Sequence, residues 1–113
     1  MPAEVRLTTT VASVLKIFLE DVSMPRYGFE LMRQARLQSG TLYPILARLE
    51  AAGWIEGRRE NIDPSEEGRP ARRLYFLTAD GATVARQSLA ELSARISPHS
   101  PARPIARPEG GYA

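Results

Sequence analysis

Between Ser39 and Gly53 the apolar residues Leu42, Ile45, Leu46 and Leu49 recur at the three-and-four spacing of a single helical face. The opposite face carries Gly40, Tyr43, Pro44, Ala47 and Ala51, with Thr41 and Arg48 on the flanks. A face that is merely wetted by solvent favours Lys, Glu and Gln, whereas this one is small and nearly free of acid. The segment therefore has one side to bury and another to keep open for contact. Its helix is expected over 39–52, with Ser39 as the cap that offers a side-chain oxygen to the free N–H groups of the first turn. Gly53 follows as a residue that tolerates positive φ. Pro44 lies late enough in the helix that its missing N–H predicts some local distortion.

The rest of the chain can be built around that helix. An earlier one is expected over 9–21, with Val11, Val14, Leu15, Phe18, Leu19 and Val22 on one face and Ile17 outside it. A helix apolar on two sides can cover its own core and also meet a partner. Ser23-Met24-Pro25 breaks the pattern, and a second helix over 27–36 turns Leu31, Met32 and Ala35 inward before a short turn at Leu37-Gln38. A strand is expected over 54–62 and another over 72–77, separated by a stretch (63–71) so rich in Pro, Gly and charge that it reads as irregular. Thr78 caps a last helix over 79–95 with Ala85, Leu89, Leu92 and Ile96 on its stripe. After Ser97 come Pro98, Pro101, Pro104 and Pro108 with Gly110 and Gly111, the composition of a disordered tail. The order is that of an α+β, mainly helical winged helix-turn-helix, with three helices, a two-stranded β-hairpin wing and an appended C-terminal helix. Its expected divisions are 1–78, 79–96 and 97–113.

Composition removes other classes. The chain has 113 residues, enough for one domain, and its +2 net charge, from 15 basic against 13 acidic residues, is too slight to imply a nucleic-acid partner alone. Lys16 is the only Lys. Arg presents a fork of donors suited to phosphate and guanine, although genomic base composition yields the same bias. No cysteine is present, so disulfides and thiolate metal sites are excluded. The one histidine, His99, sits between Pro98 and Pro101 with nothing to orient it. There is no Gly-rich phosphate loop and no metal-spaced ligand set, and Glu66 and Glu67 lack the burial that would tune a pKa. No catalytic residue, metal site or cofactor is expected. The apolar runs are too short to span a membrane, no secretory signal is visible, and a cytoplasmic location is expected.

Several stretches resemble a known family. Ser39-Gly40-Thr41-Leu42-Tyr43-Pro44 with Ile45-Leu46-Ala47-Arg48-Leu49-Glu50 and Gly53-Trp54-Ile55 looks like the recognition helix of PadR-type transcriptional regulators. Tyr27-Gly28-Phe29-Glu30-Leu31 resembles that family's second-helix signature, and Gly68-Arg69-Pro70 with Arg72-Arg73-Leu74-Tyr75-Phe76-Leu77-Thr78 and Gly81 resembles its wing and the start of its last helix. The resemblance runs in register over 11–90. It implies a homodimeric winged-helix protein of the family's short type, usually a repressor relieved by a small molecule. The last helix here is brief and runs into Pro98, so the dimer is expected to lean on the first helix, through Val11, Leu15 and Phe18, as well as on Leu89 and Leu92.

For such a protein the open face of the third helix would enter a major groove about 12 Å wide. The expected contacts are Ser39, Gly40, Thr41, Tyr43, Pro44 and Arg48, with Thr41 and Tyr43 donating hydrogen bonds and Arg48 holding a phosphate. A second reading has Tyr43 packing against its own wing. From Gly57 to Arg73 five arginines face four acids, and the acids precede Gly68 while Arg69, Arg72 and Arg73 follow it. One reading sends Arg69 from the loop tip into a minor groove, with Arg72 also on the DNA. The other keeps the loop solvated and internally paired, Arg58 and Arg59 against Glu66 and Glu67. A twofold dimer would place its recognition helices about 34 Å apart on a pseudo-palindromic operator. The first and last helices could line a pocket for a small aromatic or hydrophobic effector, or simply pack as core, and Trp54 reads as a core anchor. The alternative from another class is a winged-helix protein-interaction module without DNA binding.

Overall fold

In the computed structural model, which describes residues 4–96, each helix starts where local chemistry satisfies its free N–H groups. Thr8 accepts the Val11 N–H at 3.1 Å and opens α1 (Thr9–Glu20). After the Ser23-Met24-Pro25 break, Arg26–Tyr27 forms a short strand, β1, that leads directly into α2 (Gly28–Ala35). The Tyr27 N–H donates to the Glu30 carboxylate at 3.4 Å, closing the first turn of α2. Arg36, with φ 57°, turns the chain into α3 (Ser39–Ala51). The cap of α3 is Gln38, one residue earlier than expected: its backbone is extended and its carbonyl accepts the Thr41 and Leu42 N–H groups. Gly53 ends the helix region with φ 83°.

Ile55–Arg59 (β2) and Arg73–Leu77 (β3) pair antiparallel, Ile55 opposite Leu77 and Arg59 opposite Arg73. β1 adds to the free edge of β3, with Arg26 opposite Tyr75 and Tyr27 opposite Leu74, giving the order β1-β3-β2. The wing is thus part of a three-stranded sheet rather than a bare two-stranded hairpin, and it is hydrogen-bonded to the residues that precede α2. The loop expected to be irregular contains one helical turn, α4 (Pro64–Glu67). Asp63 accepts the Ser65 N–H at 3.0 Å, Pro64 occupies the first turn, and Gly68 closes it at φ 70°. Thr78 accepts the Gly81 N–H at 2.9 Å and starts α5 (Ala79–Ile96).

One cluster forms the core: Val11, Val14, Leu15, Ile17 and Phe18 of α1, Leu31 of α2, the four stripe residues of α3, Trp54, Ile55, Tyr75, Leu77, Ala82 and Ala85. Each large side chain fully buried here contributes roughly 1.5–3 kcal/mol. The core corrects one expectation. Val11, Leu15 and Phe18 are at most 2% exposed within the protomer, and Ile17 is buried as well, so α1 has spent both its apolar sides on its own domain. Those residues are not available to a second copy in this conformation. Val22 lies past the end of α1 and is exposed instead of joining the stripe. Leu89 and Leu92 on α5 remain half-buried. The stretch 97–113, expected to be a tail, lies outside the described residues.

Candidate nucleic-acid interface

The wheel read from the sequence is the one observed for α3. Leu42, Ile45, Leu46 and Leu49 are buried against α1, α2 and the sheet, and Ser39, Gly40, Thr41, Tyr43, Pro44, Ala47, Arg48 and Ala51 are exposed. Pro44 supplies no N–H to the carbonyl of Gly40 one turn back, and a Cβ on Gly40 would meet nothing within 4 Å. The outer surface is therefore open, with backbone close to the exterior. Arg48 has no ion-pair partner among the described residues.

Tyr43 is 44% exposed, and its ring lies on Gly28 at the start of α2, where a Cβ would collide with it. The seat on Gly28 is additional to the packing against the wing that one sequence reading expects. The ring is held by the second helix, and it shares a cleft of about 230 Å³ with Tyr27, Phe29, Arg72, Arg73 and Tyr75. Burial pushes the Tyr75 hydroxyl up from its ordinary pKa, against the neighbouring Arg73. Phe29 is 66% exposed with the Arg33 guanidinium 5.9 Å from its ring centre. Sequence reasoning passed over Phe29 as a site residue. The available signal was a large aromatic at the second position of a helix whose inward residues are Leu31, Met32 and Ala35.

The wing arginines divide sharply in their surroundings. Arg69 does not project from the loop tip. It forms a two-pronged pair with Glu60, its Nη1 and Nη2 donating to the two carboxylate oxygens at 2.8 and 3.1 Å. The Arg72 N–H donates to the same carboxylate at 3.1 Å and the Tyr27 hydroxyl at 3.3 Å. These donors, Arg69 first, hold the Glu60 carboxyl down to about 2, against the opposing effect of its burial. The expectation that Arg69 is free to enter a minor groove is corrected accordingly: a carboxylate matched to both guanidinium prongs competes with any phosphate. The Arg72 guanidinium is exposed, 5.1 Å from the Tyr27 ring centre. Arg73 donates to Glu50 of α3 at 2.7 Å, crossing β2 at Gly57, where a Cβ would strike its guanidinium. Arg58 pairs with Glu56, and Arg59 has no ion-pair partner among the described residues, so neither meets Glu66 or Glu67, which α4 turns out to solvent.

Two hollows lie against the N-terminal segment, the first of them reaching Arg48 and Ala51 of α3. One, of about 590 Å³, is lined by Val5, Thr8, Val11, Arg48, Ala51 and their neighbours. The other, of about 630 Å³, runs between Val5 and Leu7 on one side and Trp54, Val84, Gln87 and Glu91 on the other. Trp54 is 1% exposed, as a core anchor should be. Among the described residues no group of three or more His, Cys, Asp or Glu is placed to hold a metal ion. No helix there is long and apolar enough to cross a membrane.

The residues at 14–87 match the family model described as the transcriptional regulator PadR-like family. The chain belongs to that family. It is accordingly a PadR-family transcriptional regulator, a class of DNA-binding proteins and not of enzymes. Solved structures agree in fold. A PadR-family regulator from Eggerthella lenta superposes with a TM-score of 0.61 at 22% identity, over 78% of this chain and 79% of that one. A PadR-like regulator from Bacillus cereus gives 0.54 at 23% identity, over 76% and 85%. ZitR of Lactococcus lactis, in a mutant form, gives 0.61 at 18% identity over 84% of this chain, which spans only 59% of the ZitR chain. Identities at this level speak to the winged-helix fold alone. Comparison with curated proteins yields no match.

Proposed function

We propose that this PadR-family protein is a repressor that binds a pseudo-palindromic operator as a homodimer, with α3 in the major groove. The observation that carries the reading is the outer face of α3: exposed, small, free of acid from Ser39 to Leu49, and flanked by the unpaired Arg48. Thr41 and Tyr43 are the side chains that reach base edges or thymine methyl groups. Ser39, Gly40 and Pro44 allow close approach, and Arg48, Arg72 and Arg59 hold phosphates. Arg69 takes no direct part. The second protomer joins through α5, at Leu89 and Leu92, in place of the buried residues of α1. A small aromatic or hydrophobic effector suits the more apolar hollow beside Val5, Val11, Ala51 and Ala52 better than the charged one against α5.

The test is fluorescence anisotropy on DNA from the promoter of the protein's own gene and on DNA taken from random-sequence selection, against scrambled duplex at low and physiological salt. Binding that survives physiological salt and weakens in Tyr43→Ala supports the reading. If selection enriches no sequence, the protein-interaction module replaces it. The acidic wing turn, with Asp63, Glu66 and Glu67 all exposed, is the feature that favours that second reading.

A further inference from the structure

We infer that Glu60 is a positioning residue that decides which wing arginine meets the DNA backbone, holding Arg69 out of reach and presenting Arg72. The inference rests on the DNA-binding reading above and adds to it a control on the strength of backbone contact.

Glu60 lies just past the end of β2, with a side chain 10% exposed. Four groups converge on its carboxylate: both prongs of Arg69, the Arg72 N–H and the Tyr27 hydroxyl. Its own N–H donates to the Arg72 carbonyl at 2.7 Å, so the backbone of the two residues is locked side by side. The outcome for the two arginines is opposite. Arg69 has both prongs occupied, and a third bond runs from Nη1 to the Pro70 carbonyl at 3.2 Å. Arg72 is tied only through its backbone, and its exposed guanidinium lies over the Tyr27 ring, on the cleft that Tyr43 also lines. One carboxylate thus removes one cation from the binding surface and aims another toward the recognition helix.

The consequence is a lower and less salt-dependent backbone affinity. Phosphate contacts add affinity for every sequence equally, so a cation withheld from the backbone weakens binding to all duplexes alike and leaves base contacts to set the preference. Arg69 pairs with a carboxylate at the position where a neutral neighbour would leave it free for any duplex.

The experiment is a salt titration of binding to a mixed-sequence duplex by the full chain, for wild type, Glu60→Gln, Arg69→Gln and the double variant. Glu60→Gln frees Arg69, and the slope of log affinity against log salt steepens by about 0.9 per protomer. The double variant, which lacks the same negative charge, returns to the wild-type slope, so the gain belongs to Arg69 and not to the lost carboxylate. Arg69→Gln alone leaves the slope unchanged. A merely structural role for Glu60 would weaken binding at every salt concentration without steepening it. An unchanged slope in Glu60→Gln overturns the inference, as does an Arg69→Gln slope shallower by about 0.9, which would mean that Arg69 already holds a phosphate. Should Glu60→Gln fail to fold, the Arg69→Gln result decides alone. Wild-type protein that binds no duplex at low salt overturns the DNA reading and this inference together, whereas normal wild-type binding with an unchanged variant slope overturns only the inference.

Discussion

Two glycines show how the same substitution separates function from stability. At Gly28 a new methyl meets the tip of the Tyr43 side chain, which is half exposed and can swing away. Gly28→Ala should leave thermal stability nearly unchanged and lower operator affinity about tenfold, or about 1.4 kcal/mol, by displacing the ring from its seat. At Gly81 the methyl meets the Trp54 carbonyl, which is backbone and cannot yield. Gly81→Ala should cost about 1–3 kcal/mol, read as a fall in Tm with operator affinity of the folded fraction unaltered. The Glu60 carboxyl makes a prediction of a different kind. Its folded pKa of about 2 lies below the ordinary value of 4.5. The ionised group is therefore stabilising at and above pH 4.5, and that contribution disappears as pH falls toward 2. Urea midpoints across this range should decline more steeply for wild type than for Glu60→Gln; parallel curves would show that the Arg69 pair adds no stability.

At the scale of elements, Pro44 is the clearest trade between fold and contact. Pro44→Ala restores an N–H to the Gly40 carbonyl and should raise Tm by about 4–8 °C for each kcal/mol recovered. Operator binding should weaken at the same time, since the proline lies on the outer face of α3. Stability rising without loss of binding would remove Pro44 from the contact surface. The helices, the two long strands and both faces of α3 were legible in the sequence because each rests on a patterned run of at least five residues. β1 was not, because two residues carry no period; Arg26 and Tyr27 become a strand only when β3 offers an edge. α4 has purely local signals: Asp63, Pro64 and Gly68 are each breakers in isolation, and together they cap one turn at both ends. That turn also explains why Arg58 and Arg59 do not meet Glu66 and Glu67: it leaves both acids exposed, and Arg58 pairs with Glu56 instead. The dimer contacts expected on α1 raise a similar point. Apolar residues on two sides of α1 show that both are covered, not that one is covered by another chain.

For the whole molecule, the burial of Val11, Leu15 and Phe18 makes α5 the helix through which the proposed homodimer would join. Ala82 and Ala85 belong to the core, while Leu89 and Leu92 beyond them are half-buried. Ending the chain after Ser88 should therefore preserve the fold by circular dichroism, convert a dimer to a monomer in sedimentation, and reduce operator affinity by about 10²-fold as the second half-site is lost. A truncated protein that still sediments as a dimer would place the interface elsewhere. The bridge from Arg73 to Glu50 over Gly57 bears on anyone who would retarget this scaffold. The recognition segment is not a free cassette: a graft of 39–51 from a relative must bring an acid to position 50. A graft lacking it would leave the Arg73 guanidinium above Gly57 without its acid, so an altered preference would report a changed link to the wing as much as a changed alphabet.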